Sequence, residues 1–430
     1  MAALLRADRP SVTRVWLHTF GCKANQYDTE LVRRSLVRAG ASVVGDWAES
    51  DVAIVNSCAV THVSEAKLRG LVRRIARANP SVRTVVMGCA AALDDGTIAA
   101  LPNVVGVVEG ADPATILQAL DLSPSVAASA LRSFDRGARA WLKIQDGCDE
   151  HCTFCVSRLA RGESRSRPPQ VIVDEALALS ARHAEIVLTG VHVGAYGADR
   201  AGDVSLCSLV ERLVLSVPHT RFRLTSVEAT EIDEGLAEIM AAAPNRLAPH
   251  VHAPLQSGSD RVLRYMGRHW YSAATYRARI ELLAERINPL GLGADVMVGF
   301  PMETDEDFAE TRLLLEALPY TYIHVFPYSE RPRTAAHRLG PPADPRLAAS
   351  RSALLRSIVA AKAAGHRRRR AGTDADVVLL RRSEGRFEGL TEDYLTVSGS
   401  TDRRLPSRFH ARLAVTDGGQ LTAVATEIDE

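Results

Sequence analysis

The chain has 430 residues, 46% hydrophobic and 24% charged, an ordinary globular balance that excludes disorder as its main state and exceeds one compact core. Lys and Arg number 52 against 51 Asp and Glu, a net +1, so global charge calls for no polyanionic partner and any nucleic-acid surface has to be local. No apolar run reaches 18 residues and residues 1–10 lack the apolar core of a secretory signal, so the expectation is a cytoplasmic protein without a membrane segment, its seven cysteines serving metal or redox chemistry rather than disulfides.

Residues 13–121 alternate strands and helices. Residues 15–20 form an apolar strand, 29–39 a helix ending at Gly40, 52–55 a second strand and 63–78 a second helix. Strands at 83–87 and 104–108 and a helix from Pro113 follow, and strands spaced by helices imply parallel pairing. Residues 122–138 are small and polar enough to be a linker. Strand-like runs resume near 140–145, 185–190, 221–226, 249–253, 293–300 and 322–328, with helices between them such as 304–318, which carries Asp305 and Glu306 in its first turn. Six βα units are too few for an eightfold barrel, so a partial, open barrel is expected.

Residues 345–370 read as a helix bearing eight Lys and Arg and no Asp or Glu. Short strands at 375–380, 394–397, 412–415 and 421–424, set between Gly, Ser and Asp turns, then predict a small antiparallel β-barrel. The fold class is therefore α/β with three parts: an N-terminal parallel α/β domain (11–122), a central partial (β/α)6 barrel (134–366) and a C-terminal β-barrel (367–430).

Cysteine spacing carries the chemistry. Cys148, Cys152 and Cys155 form a C-x3-C-x2-C set, and three thiolates on one short loop repel each other unless a cation holds them. Zinc would need His151 as its fourth ligand, but adjacent side chains at 151 and 152 seldom reach one metal. A cubane cluster held by three cysteines instead leaves one iron open to bind a substrate. Cys22, Cys58 and Cys89 each follow a predicted strand directly. In a parallel sheet those strand ends share one edge, so the three thiols can converge there on a second cluster, and Gly21 and Gly88 let the backbone turn tightly before two of them. Cys207, in an amphipathic helical stretch, reads as a core residue.

The Cys148–Cys152–Cys155 spacing, with Phe154 before the last cysteine, resembles the radical S-adenosylmethionine (SAM) signature. His-Thr-Phe-Gly-Cys22-Lys-Ala-Asn-Gln-Tyr-Asp with Asn56-Ser-Cys58 and Gly88-Cys89 resembles the N-terminal domain of methylthiotransferases. Lys143-Ile-Gln-Asp-Gly-Cys148, Leu188-Thr-Gly-Val-His-Val-Gly194 and His324-Val-Phe-Pro-Tyr-Ser329 point to the threonylcarbamoyladenosine tRNA branch of that family, with a terminal barrel of the TRAM type. The resemblance implies two [4Fe-4S] clusters and SAM as cofactors. It implies SAM bound at the open iron of the Cys148/Cys152/Cys155 cluster and cleaved to a 5′-deoxyadenosyl radical. It implies abstraction of the hydrogen on C2 of a modified adenine beside the anticodon, with the sulfur coming from the cluster on Cys22, Cys58 and Cys89. It also implies a one-electron reductant protein of flavodoxin type and an unidentified sulfur donor.

SAM contacts are expected from Phe154 and from the backbone at Gly190 and Gly194. Glu228 is expected to accept ribose hydroxyl hydrogen bonds, and Gln256 and Ser257 lie at the same barrel mouth. His192 and His252 read as hydrogen-bonded loop or core residues. The family usually continues Ile-Ile-Pro-Tyr-Ala-Arg-Gly after the last cysteine, where this chain has Val-Ser-Arg158-Leu159-Ala-Arg161-Gly162. Met302 also stands where glycine is usual. These departures alter substrate fit but remove no ligand.

Arg367, Arg368, Arg369 and Arg370 are candidate phosphate contacts for tRNA, although residues 371–430 hold seven Arg against eleven Asp and Glu. Arg331 or Arg333 would pair with the carboxylate of a threonylcarbamoyl group, whereas an isopentenyl substrate would want an apolar pocket. The leading reading is tRNA methylthiolation at threonylcarbamoyladenosine. Isopentenyladenosine tRNA or a ribosomal-protein aspartate are alternative substrates, and a non-catalytic iron–sulfur RNA-binding sensor or a zinc-stabilised RNA-binding protein are the readings from other classes.

Overall fold

A computed structural model describes residues 12–134, 137–202, 204–331 and 333–427. The leader reading of residues 1–10, positions 135 and 136 of the linker and the outermost limits of the three-part division lie outside these. The chain divides into two compact units, residues 1–131 with 159–161, and residues 132–158 with 162–430.

The first unit is a five-stranded parallel sheet. Strands β1 (Arg14–Thr19), β2 (Ser42–Val43), β3 (Val52–Ser57), β4 (Arg83–Gly88) and β5 (Val104–Glu109) stand in the order β2-β1-β3-β4-β5. Helices α1 (Lys23–Arg38), α2 (His62–Ala78), α3 (Cys89–Ala92) and α4 (Pro113–Gln118) connect them. Strand β3 is buried along its whole length, as its near-continuous apolar run requires in the middle of a covered parallel sheet. Val52 and Ile54 join Val32 and Leu36 of α1, Val85 and Met87 of β4, and Ile116 and Leu117 of α4 in one core. Three features differ from what the periodicity predicts: β2 and α3 are additional elements, and α1 begins six residues before Thr29. Its first turns bury Asn25 and Asp28, polar side chains that break the apolar period.

The second unit contains six parallel strands in chain order: β6 (Arg139–Lys143), β9 (Glu185–Thr189), β10 (Arg221–Leu224), β11 (His250–His252), β12 (Gly291–Val298) and β13 (Tyr322–Pro327). Between them in sequence, β7 (Gln145–Asp146) and β8 (Arg165–Ser166) make a small antiparallel pair. The ladder is continuous over β6-β9-β10 and over β11-β12-β13. Among the described residues, the two halves are joined by isolated bridges, Phe222 to Leu247 and Ser226 to His252, rather than by a continuous ladder. This is the expected open, partial barrel. Helices α5 (Ser157–Arg161), α6 (Pro169–Ser180), α7 (Leu206–Ser216), α8 (Glu234–Ala242), α9 (Asp260–Tyr265), α10 (Ala273–Arg286) and α11 (Asp305–Ala317) alternate with the strands. Thr304 caps α11 in a reciprocal box with Asp307. Met302, just before it, sits at φ +70°, a left-handed conformation that costs a non-glycine residue about 1–2 kcal/mol.

Helix α12 (Pro345–Arg370) leads into a closed antiparallel barrel of β14 (Asp374–Ser383), β15 (Arg386–Leu390), β16 (Thr396–Ser400), β17 (Arg408–Val415) and β18 (Leu421–Glu427), ordered β14-β15-β16-β18-β17 with one parallel contact, β16 to β18. Val377, Phe387, Val397, Phe409 and Leu413 fill it. The loop between β15 and β16 reaches the N-terminal end of the six-stranded barrel. There Arg223 donates to the carbonyls of Thr391 (3.1 Å) and Glu392 (3.0 Å), and the Tyr394 ring stacks on His250 at 4.2 Å. No described helix is long and apolar enough to cross a membrane.

Candidate functional site

None of the seven cysteines is in a disulfide. In the first unit, Cys22 is the N-cap residue of α1, Cys58 follows β3 and Cys89 opens α3 after β4, so all three lie at the C-terminal edge of the sheet. Burial pushes the Cys58 and Cys89 thiols up. Charge on Cys22 pushes Cys58 further, and charge on Cys22 and Cys58 does the same to Cys89. The three sulfurs therefore sense one another. Gly21 and Gly88 have φ of +104° and +93°, and a Cβ on Gly88 would lie 2.2 Å from Asn56 Oδ1, so only glycine fits that turn.

Side chains the sequence reading passed over hold this edge together. Ser57 Oγ donates to the Met87 carbonyl (2.6 Å) and accepts from the Ala90 and Ala91 amides, fixing the chain beside Cys58 to the chain beside Cys89. Asn25 donates to the carbonyls of Phe20 and Ser57. Arg161, which packs with this unit, donates to Cys89 Sγ at 3.3 Å, Asn25 Oδ1 at 2.5 Å and Asp28 Oδ2 at 3.1 Å. Its guanidinium lowers the Cys89 pKa against the effect of burial. Burial makes ionisation of Cys58 and Cys89 costly, so these thiols serve as thiolate ligands only where a cationic metal centre offsets that cost, and Arg161 lowers it at Cys89.

In the second unit, Cys148, Cys152 and Cys155 lie on the loop after β7. Buried Gln145 organises that loop. Its Nε2 donates to the Gly147 carbonyl (2.7 Å) and to Ser164 Oγ (3.0 Å), and its Oε1 accepts from the amides of Val191 and His192. Thr153 anchors the other side, donating from its amide to Met266 O and from its hydroxyl to Tyr265 O, both at 2.8 Å. The sulfurs have polar partners: His192 Nδ1 is 3.7 Å from Cys148, Arg268 Nη1 donates to Cys152 at 3.5 Å, and the Ser157 amide donates to Cys155 at 3.3 Å. Burial raises the Cys152 thiol to about 12 despite Arg268. Burial also opposes charge on His192, but its bonds to Cys148 and Glu231 outweigh that and raise it to about 10. His151 bonds Arg158 at 2.8 Å through Nδ1.

The barrel mouth holds two buried oxygens that lack partners among the described residues. Glu228 is buried and ion-paired with Arg268, and burial raises its carboxyl. Its Oε2 and the Oε1 of Gln256 are buried atoms without a hydrogen-bond partner among the described residues, which fits both as acceptors for hydroxyl or ammonium donors. Arg268 also lies over the rings of Trp270 and Tyr271, at 4.7 and 5.1 Å, so the carboxylate's partner is locked in place.

The surroundings of the other predicted residues are as follows. Phe154 packs edge-on against Phe300 at 6.4 Å, beside a cluster containing Met266 and Tyr328, and so anchors the cysteine loop. A Cβ on Gly190 would lie 2.9 Å from Gln145, and on Gly194 1.7 Å from Glu231 Oε2, so internal packing accounts for both glycines. Ser257 is fully buried, its Oγ 3.3 Å from Thr311 Oγ1 and accepting from the Ser259 amide, which makes it a loop tie. Arg331 is buried while Arg333 is exposed at φ +70°. Arg370 corrects the RNA reading: it is buried and donates to Glu392 Oε1 at 2.5 Å. Arg351, Arg356 and Lys362 are likewise tied inward, to Glu303, Val325 O and Leu318 O. Arg368 and Arg369 are exposed, and Arg367 is half-buried with a bond to Gly419 O.

Residues 14–110 match the model of a family described as uncharacterized protein family UPF0004, and residues 142–315 match that of the radical SAM superfamily. A radical SAM methyltransferase structure, TsrM from Kitasatospora setae, aligns at a TM-score of 0.57 with 14% identity, covering 88% of this chain and 80% of that one, a likeness of fold. The open six-stranded barrel and its cysteine loop thus define a radical SAM enzyme, working with an iron–sulfur cluster and SAM.

Among curated relatives, threonylcarbamoyladenosine tRNA methylthiotransferase MtaB of Rickettsia prowazekii is 36% identical over 334 residues, 75% of this chain and 77% of that one. MtaB of Aquifex aeolicus is 32% identical over 401 residues, 89% and 96% of the two chains. A tRNA-2-methylthio-N(6)-dimethylallyladenosine synthase of Thermus thermophilus is 34% identical over 402 residues, 89% and 84%. The chain belongs to the MtaB-like radical SAM methylthiotransferase family.

Proposed function

We propose that this protein inserts a methylthio group at C2 of N6-threonylcarbamoyladenosine, next to the anticodon of tRNA. The observation that carries the reading is the trio Cys22, Cys58 and Cys89 at one sheet edge, since SAM cleavage alone needs no second three-thiol site. The names of the curated relatives support an RNA substrate, and several of them name the threonylcarbamoyl nucleoside.

Cys148, Cys152 and Cys155 would hold one [4Fe-4S] cluster and Cys22, Cys58 and Cys89 a second. When bound, the clusters and SAM supply the reducing electron, the hydrogen-abstracting radical and the sulfur. The chain's own residues bind and orient. Glu228 and Gln256 offer SAM their unpartnered oxygens, and Arg268 fixes Glu228. Arg333, after β13, offers a guanidinium to the threonylcarbamoyl carboxylate. Arg367, Arg368 and Arg369 face RNA phosphates. The three-part division at 11–122, 134–366 and 367–430 assigns sulfur delivery, radical chemistry and RNA docking. A flavodoxin-like protein and a separate sulfur donor complete the cycle in the cytoplasm.

The test is nucleoside mass spectrometry of tRNA from a methylthiolation-deficient strain expressing this chain. Methylthio-threonylcarbamoyladenosine is expected. A methylthio-isopentenyl product, or a ribosomal-protein product alone, would replace the reading. Iron analysis of the anaerobically reconstituted protein should give about eight irons per chain and about four in Cys22→Ala.

A further inference from the structure

Outside the cysteine sites, one side chain from each of three consecutive strands meets on a single face. His252 ends β11, Asp295 lies within β12 and His324 within β13. The register sets His252 beside Gly293 and Asp295 beside His324, and alternate residues of a strand share a face. His252 Nε2 lies 3.2 Å and His324 Nδ1 3.1 Å from the same oxygen, Asp295 Oδ1. One ligand atom from each residue falls within 4.8 Å of the other two.

These separations match a metal's coordination sphere. Donor atoms bound at about 2.1 Å and at right angles to each other stand about 3.0 Å apart. Two imidazole nitrogens aimed at one carboxylate oxygen are held there either by their N–H protons or by a shared cation, and a cation can take all three donors at once. The surroundings fix the donors. Tyr322 Oη is 3.0 Å from His252 Nδ1 and 2.8 Å from His250 Nε2, which leaves Nε2 of His252 as the nitrogen facing the carboxylate. A Cβ on Gly293 would lie 2.1 Å from the Tyr322 ring, so the glycine makes room for this orienting residue. Polar partners on the far nitrogen of a histidine ligand are a recurring feature of metal sites.

We propose that His252, Asp295 and His324 form a divalent-cation site, separate from the iron–sulfur ligands, with a two-histidine, one-carboxylate donor set. Such a set suits zinc, manganese or iron(II) rather than magnesium or calcium, which take all-oxygen shells. The His324 and Asp295 side chains are 65% and 27% exposed, so the remaining coordination positions open outward, where water or an oxyanion can fill them. The site goes beyond the proposed transferase chemistry and does not depend on which nucleoside is modified.

The probe is zinc. Full-length holoenzyme, reconstituted anaerobically and washed with chelator, is equilibrated with Zn2+, and iron and zinc are counted per chain. Wild type is expected to take up one zinc with its iron unchanged, in a shell of nitrogen and oxygen near 2.0–2.1 Å by X-ray absorption. His324→Ala, at an exposed position, and Asp295→Asn should each lose that zinc and keep wild-type iron. No zinc uptake by wild type, equal uptake by both variants, or sulfur in the zinc shell would overturn the proposal.

Discussion

Glu185 is fully buried at the start of β9 and accepts from three guanidiniums: Arg139 Nε at 2.7 Å, Arg221 Nε at 2.8 Å and Arg223 Nη2 at 2.9 Å. Arg221 and Arg223 are themselves fully buried. Glu185→Gln keeps the shape but removes the one charge the three share, and turns an amide N–H2 toward N–H donors. Desolvation of all four groups offsets much of the attraction, so the relevant figure is that for breaking a buried pair, about 3–5 kcal/mol. At roughly 2–4 °C per kcal/mol for a domain of this size, the unfolding midpoint should fall by about 10 °C. Thermal and urea unfolding at neutral pH measure it. Adding Arg223→Met should restore part of the loss, because it removes one stranded cation. The three arginines hold the Glu185 carboxyl well below its ordinary range, against the effect of burial. A depressed carboxylate contributes its stability above the unfolded value of about 4.3 and loses it as pH falls through the lower folded value. The gap between wild type and variant should therefore be full at pH 7 and narrow progressively as pH falls below about 4. A variant within 1 kcal/mol of wild type at pH 7 would refute the reasoning.

Gln145→Ala should strand buried backbone groups on both sides of the cysteine loop, at about 1–3 kcal/mol each, and release iron from the Cys148/Cys152/Cys155 set severalfold faster during anaerobic dialysis. Arg161→Met removes the cation 3.3 Å from Cys89 Sγ. The midpoint potential of the cluster proposed on Cys22, Cys58 and Cys89, followed by EPR in a redox titration, should move negative by on the order of 50 mV. Arg368→Ala with Arg369→Ala should weaken tRNA binding and reduce the magnitude of the log–log salt slope by about 1.5–2. Arg370→Ala should instead lower stability and leave the slope unchanged, since its partner is Glu392.

The fold class was legible because alternation of strand and helix is written in apolar periodicity, and every long strand of the three parallel sheets stands where that period puts it. The cysteine triplet was legible from spacing alone. The convergence of Cys22, Cys58 and Cys89 required one further step, from strand ends to a shared sheet edge. What periodicity hides is polar residues facing inward. Asn25 and Asp28 occupy the buried face of α1 for the sake of the thiol site and so concealed the helix start. Gln145 and Arg268 carry little local signal, because the contacts that tie them to the site include Ser164, 19 residues from Gln145, and Cys152, 116 residues from Arg268.

The same blindness explains the basic helix and the acidic terminal barrel together. A run of eight basic residues on α12 reads as a solvated or RNA-facing surface, and an acidic terminal barrel reads as evidence against RNA contact. The structure resolves both as internal complementarity. Arg370 at the end of α12 pairs with Glu392 and Asp393, and Arg221 on β10 pairs with Asp376. His366 pairs with Asp393 at 2.9 Å, and Arg408 of β17 with Asp376. Asp376, Glu392 and Asp393 thus neutralise guanidiniums at the N-terminal end of the radical SAM barrel, where burial without a partner would cost several kcal/mol per charge. Net charge over a stretch of sequence reports the potential of an exposed surface only when its charges reach solvent. Here the informative count is of those that do, Arg368 and Arg369 among them, and these bound where an RNA phosphate can be held.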